Sequence, residues 1–228
     1  MHDLPATVRS MKRDTHAAAR AIALPVADDT GRVIASLVPV GPWALGDATL
    51  IEQVCAWRAR NMRMFLTQFA SSADSTRNYL ERLAIGDPRR LLFIIEGPDS
   101  VAWGHIGLIE LSQASAEIDN VMRGDAPVPS RLMYLAQRRL LQWCFDMLRL
   151  DYCTIRVLSY NSHAIDLYLR LGFSPRGKIY LFRDETNGLI THTPCAPQQS
   201  NVDYWCDELV MPRPVDITRQ QRLSFPLS

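Results

Sequence analysis

Residues 115–173 constrain the fold more than any other stretch of the 228-residue chain. Ala116 to Arg123 reads as a strand, and Gly124, Pro127 and Pro129 mark a turn after it. A helix is predicted over residues 130–148, with Met133, Ala136, Leu140, Trp143, Cys144 and Met147 as its apolar stripe. Cys153 to Leu158 reads as a second strand, and Asn161 opens a second helix. Upstream, Leu91 to Glu96 and Ala102 to Leu111 form a hairpin turned at Gly97-Pro98-Asp99. Antiparallel strands followed by a helical crossover imply an α/β (α+β) fold with a mixed, mostly antiparallel sheet flanked by helices.

The rest of the chain is read around that core. Residues 1–30 are alanine-rich and mixed, and are expected to be a poorly ordered extension. Val33 to Val40 is a first strand, residues 50–69 a helix, and Asp74-Ser75-Thr76 the cap of another. Residues 184–200 contain Asn187-Gly188, Pro194 and Pro197, and are expected to be a long loop. Tyr204 to Met211 is the last strand. Residues 31–212 are expected to be one domain and residues 213–228 a tail.

Charge and cysteines narrow the function classes. A net charge of +1 gives no case for nucleic acid or a membrane surface as partner. Lys12 and Lys178 are the only lysines, so nearly all the basic residues are arginine, whose planar fork suits phosphate. The five cysteines, Cys55, Cys144, Cys153, Cys195 and Cys206, have no metal spacing and an odd count. A reducing compartment follows, and with no leader or spanning run in view the expected location is the cytoplasm.

The run Asn161-x-x-Ala164-Ile165-x-Leu167-Tyr168-x-x-Leu171-Gly172-Phe173 resembles the helix after the fifth strand of the GNAT acetyltransferases, position by position. The likeness extends with gaps over roughly residues 49–211. There is a fainter likeness to GNAT members that acylate amino groups on nucleotide-linked sugars. The resemblance implies acetyl-CoA or another short acyl-CoA as co-substrate, and no metal.

It also implies roles. The pyrophosphate would sit on the amides of Ser130, Arg131, Leu132 and Met133, at a helix N-terminus where unpaired N–H groups and the helix dipole favour an anion. Ser130 would cap that helix, and Arg123 and Arg131 would pair with phosphate oxygens. The family loop carries Q/R-x-x-G-x-G/A here, whereas this chain has no glycine between Gly124 and Gly172. Either other residues keep the geometry or acyl-CoA binds weakly. Asn161 caps its own helix and, by resemblance, also reaches the cofactor arm. Tyr168 would protonate the leaving thiolate, and a splayed strand pair would expose N–H groups near Asn120 and Val121 to the thioester carbonyl.

The acceptor amine must lose a proton. Asp119, Glu117, Glu110 and His105 lie on the two central strands, with Asp119 favoured because it adjoins the splay, and His105 next. Acceptor contacts are expected from Trp57, Arg58 and Asn61, with Phe65 and the 184–200 loop: aromatic rings to stack on a base or sugar, and Arg58 to meet a diphosphate. The expected activity is acyl transfer to the amine of a nucleotide-linked amino sugar by direct attack in a ternary complex. Acetylation of a protein N-terminus or lysine, and acyl-CoA binding without turnover, are the alternatives. Expected partners are the small-molecule amine and, as a homodimer, a second copy.

Overall fold

The computed structural model describes residues 3–214. Its ten strands are β1 (Leu24–Ala27), β2 (Val33–Pro39), β3 (Thr67–Gln68), β4 (Leu91–Glu96), β5 (Ala102–Ile109), β6 (Ser115–Arg123), β7 (Tyr152–Leu158), β8 (Ser174–Thr186), β9 (Leu189–Cys195) and β10 (Trp205–Pro212). They form one sheet in the order β1-β2-β4-β5-β6-β7-β10-β8-β9-β3. Its α-helices are α1 (Leu4–Met11), α2 (His16–Ala21), α3 (Ala48–Arg60), α4 (Ala73–Tyr79), α5 (Leu132–Asp146) and α6 (Ser162–Leu171). The mixed, mostly antiparallel sheet expected from the sequence is present: only β6 and β7, joined through α5, run parallel.

Each sheet face has its own cover. On one face α1, α5 and α6 pack on Phe93, Ile95, Ile106, Ile118 and Ile155. On the other, α3 and α4 pack on Leu92, Ile94 and Met122. The alternation of side chains along a strand makes both covers necessary, because β4 is buried at every residue and so feeds both cores.

Four expectations are corrected. The first 30 residues are not a loose extension over their described part. Asp3 and Thr15 cap α1 and α2, and Leu4, Val8, Met11, Leu24 and Val26 are buried in the α5-side core. The helix expected over 50–69 stops at Arg60, where Asn61 bonds back to Trp57; a 3-10 turn at Met62–Met64 and β3 follow. The cap of α4 is Ser72, in a reciprocal box with Ser75, and the helix runs on as a π-helical turn over Leu80–Ile85. Residues 184–200 are mainly a hairpin: β8 and β9 turn at Asn187 and Gly188, with φ of 52° and 76°. The tail expected over 213–228 lies outside the described residues beyond Pro214. All five cysteines are free, and no described helix is long and apolar enough to cross a membrane.

The ordered N-terminus carries a stability prediction. Leu24→Ala should lower the unfolding free energy by about 2–5 kcal/mol, read from urea denaturation, because it empties a closed core site. An unchanged midpoint would mean that residues 3–27 do not contribute to the fold.

Candidate active site

The register of the parallel pair makes the cleft. β6 and β7 are paired from Ser115–Tyr152 to Ile118–Ile155 and no further, although both strands continue. β6 is disturbed on its other side as well. Against β5, Gly107 faces Asp119 and His105 faces Met122, so one residue of β5 spans two of β6, Asn120 and Val121. This is a β-bulge, and Asn120 adopts its left-handed conformation at φ 51°. Asparagine is among the few non-glycine residues that take this conformation readily. Asn120 and Val121 therefore have no register partner on either neighbouring strand.

A cleft of about 1080 Å³ lies along this opening. Asp119, Asn120, Val121 and Tyr168 form part of its wall, together with the start of α5. Among the described residues Asp119 is the only carboxylate lining it; Arg123, Arg131, Arg156 and Arg170 also border it. Arg123 and Arg170 have no ion pair among the described residues.

Tyr168 is 6% exposed and packs edge-on to Phe173. Burial, then the nearby Asp119 charge, pushes its phenol up, so it keeps its proton. Its hydroxyl has no hydrogen-bond partner among the described residues. Burial also raises the Asp119 carboxyl, against a hydrogen bond from the Asn120 backbone and the charges of Arg90, Arg58 and Arg156; the Asn120 side-chain amide donates to the same carboxylate at 2.5 Å. Glu117 is held by Arg156 at 2.8 Å, and Glu110 lies 3.9 Å from the same guanidinium. Asn161 accepts from the Ala164 N–H and caps α6, as expected.

The turn before α5 differs from its expected form. Ser130 does not cap the helix. The N-cap is Arg131, at φ 65°, with no side-chain cap bond. A side-chain-bearing residue thus makes the left-handed bend that glycine would make without strain, at a cost on the order of 1–2 kcal/mol. Leu132 N–H bonds to Pro129 and Leu135 N–H to Arg131, which leaves the Met133 and Tyr134 amides without partners among the described residues. The Ser130 amide is likewise without a partner among the described residues, so these amides suit a phosphate where the bonded Leu132 amide does not. Arg131 is not free: Asp29, in the β1–β2 turn, bonds it at 2.5 Å and Arg138 at 3.3 Å, and both guanidiniums lie beside the Tyr134 ring.

The expected acceptor residues separate. Trp57 is 3% exposed, against Gly124 and 5.9 Å from the His105 ring, so it is core and offers no stacking face. The Arg58 guanidinium lies over Phe65 and Phe69 and donates to Thr67, away from the cleft. Asn61 does reach the cleft with Phe65, though its amide is bonded to Trp57. His105 is behind the wall. It is 1% exposed, its Nδ1 is 2.6 Å from the Asn120 carbonyl, and burial lowers its pKa to about 4. It cannot reach an acceptor in the cleft. Sequence reasoning missed Arg156 and Tyr134, which carried no motif.

Comparisons agree with this geometry. Over more than three-quarters of this chain, the dodecameric spermidine N-acetyltransferase of Vibrio cholerae superposes with a TM-score of 0.53 at 18% identity, covering 76% of this chain and 94% of that one. A point mutant of a spermidine N-acetyltransferase from the same bacterium gives 0.53 at 18%, over 73% and 90%. A manganese-bound spermidine/spermine N-acetyltransferase, again from Vibrio cholerae, gives 0.52 at 18%, over 84% and 98%. At that identity the likeness is one of fold. No curated protein matches the chain. Residues 40–174, more than half of the sequence, match the model of the acetyltransferase (GNAT) domain, and the chain belongs to that family as a GNAT-type N-acyltransferase.

Proposed function

We propose that the cleft between β6 and β7 binds acetyl-CoA or a short acyl-CoA and passes the acyl group directly to a small primary amine. The observation that carries this reading is the unpaired bulge at Asn120 and Val121, flanked by Asp119 and Tyr168 in one cleft. Pyrophosphate at the Met133 and Tyr134 amides would set the pantetheine arm along the open edge of β6, as an added strand would lie. An N–H of the bulge then meets the thioester carbonyl and stabilises the tetrahedral oxyanion. Asp119, directly or through water, takes the proton of the attacking amine. The C–S bond breaks and Tyr168 gives its proton to the departing thiolate.

The acceptor reading changes with the geometry. A nucleotide-linked amino sugar was expected from a stacking Trp57, a diphosphate-binding Arg58 and a loop wall. Trp57 is core, Arg58 lies over phenylalanines, and the loop is mainly a hairpin. A small cationic amine of polyamine type ranks ahead. Asp119 lines the cleft, and the similar structures are named as spermidine N-acetyltransferases.

Release of free CoA separates these acceptors. Polyamines should exceed nucleotide amino sugars and peptide N-termini in kcat/KM by about tenfold or more, a difference of about 1.4 kcal/mol. A sugar nucleotide that leads the panel would reverse the ranking. No CoA release with any amine would favour a binding protein without turnover.

A further inference from the structure

We propose that His105 is a positioning residue: as a neutral imidazole it donates Nδ1–H to the Asn120 carbonyl and so fixes the bulge that turns the Asn120–Val121 amides toward the acyl carbonyl. The inference rests on the reading above that those amides serve the thioester.

The tautomer follows from the partners. A carbonyl oxygen only accepts, so the 2.6 Å contact requires a proton on Nδ1. Nε2 is buried with no hydrogen-bond partner among the described residues. It borders a small pocket of about 30 Å³, room for one water, that Arg58 and Tyr79 also line. Arg58 Nε is buried there without a partner as well. A second proton on the ring would put an imidazolium in a buried site near a guanidinium, and burial with the Arg58 charge opposes that. The ring therefore offers one donor, and it is aimed at the bulge.

The bulge needs such a restraint. Asn120 at φ 51° stands in a region that side-chain-bearing residues enter at a cost, inside a strand whose regular alternative would swing Asn120 and Val121 back into register. Besides the bond from the Asn120 side-chain amide to Asp119, three contacts hold the irregular form. His105 bonds the Asn120 carbonyl. Trp57 packs near the imidazole and against Gly124. Gly104 lets the strands approach so closely that a Cβ there would lie 2.3 Å from the Met122 carbonyl. Of these, only the His105 bond acts on the left-handed residue itself. Because peptide planes are rigid, fixing the Asn120 carbonyl also fixes the Val121 N–H on the other side of the same peptide.

Two variants and one spectrum test this. His105→Leu keeps much of the volume and removes the donor; His105→Asn returns an N–H near the Nδ1 position. His105→Leu should lower kcat about tenfold or more, while the Kd for free CoA, which has no acyl carbonyl, stays within twofold. Its affinity for a non-reactive ketone analogue of acetyl-CoA should fall with kcat, and His105→Asn should recover most of both losses. Nitrogen-15 NMR of the wild-type ring at pH 7 should show a single neutral tautomer protonated on Nδ1. If His105→Leu fails to fold, His105→Asn and the spectrum still decide. Wild-type kcat in His105→Leu, a parallel loss of free-CoA binding, or an Nε2–H tautomer would each overturn the proposal. A wild-type chain that binds no acyl-CoA would instead overturn the functional reading on which it rests.

Discussion

Tyr168→Phe should lower kcat by about 100-fold or more and leave the Kd for acyl-CoA nearly unchanged. The substitution deletes one hydroxyl from a ring that keeps its edge-on contact with Phe173 and its place in the core. That hydroxyl makes no structural bond among the described residues, so no buried partner is left unsatisfied. What disappears is a proton donor. Its burial and the nearby Asp119 keep the phenol protonated, so the proposed donor role should persist into the alkaline range. A diagnostic goes with the mutant: an acyl donor whose thiol is more acidic needs less protonation on departure, and should narrow the gap between mutant and wild type. Full activity in Tyr168→Phe would leave the ring as packing.

Asp119→Asn should lower kcat/KM by about 10²–10⁴, because an amide of the same shape cannot take the amine proton. The same substitution should raise stability at neutral pH, and the sign follows from the shift. The folded carboxyl is raised, chiefly by burial, so the folded protein binds this proton more tightly than the unfolded chain does. Stability from this residue therefore falls as pH rises from the ordinary carboxylate range through the raised folded value, and the cost stays in full above it. Asparagine carries no such cost. Thermal unfolding should show a higher Tm for the mutant near pH 7, with the difference closing in acid below the ordinary carboxylate range. In the active enzyme, the acid limb of kcat/KM should lie above that range. A mutant that is both active and unaltered in its pH profile would remove Asp119 from the chemistry and return attention to Glu117.

The parts of this molecule that were legible in the sequence are those with a strong local pattern. β4, β5, β6, α5 and β7 follow from apolar patterning, α6 from its motif and its Asn161 cap, and the crossover through α5 fixes β6 and β7 as parallel neighbours. The splay near Asn120 was expected from resemblance. Its cause, a bulge, leaves no mark in a period-two pattern; only the readiness of asparagine to turn left-handed hints at it. Trp57 was misread although the signal was present: Leu50, Val54 and Trp57 recur at helical spacing and form one buried face. The β8–β9 hairpin was hidden because its strands are mostly exposed and so polar, while Asn187-Gly188 was already a hairpin signal. The N-terminal helices are eight and six residues long, too short to show periodicity, and their burial is decided by distant partners. His105 was placed among bases because sequence shows a residue's type and not which of its nitrogens is occupied.

The strands at the two ends of the sheet bear on how copies of this chain behave when crowded. One end is β1, four residues long and interrupted by Pro25, which has no N–H to donate. The other is β3, two residues long and paired to β9 only at Thr191 and Ile190. A ten-stranded sheet with long, flat outer strands would offer a template to which another chain could add its own strand. Here each rim offers only a few backbone groups in line, too few to seed a growing ladder. Lengthening β3, or replacing Pro25 with a β-branched residue, should make edge-to-edge pairing between copies easier.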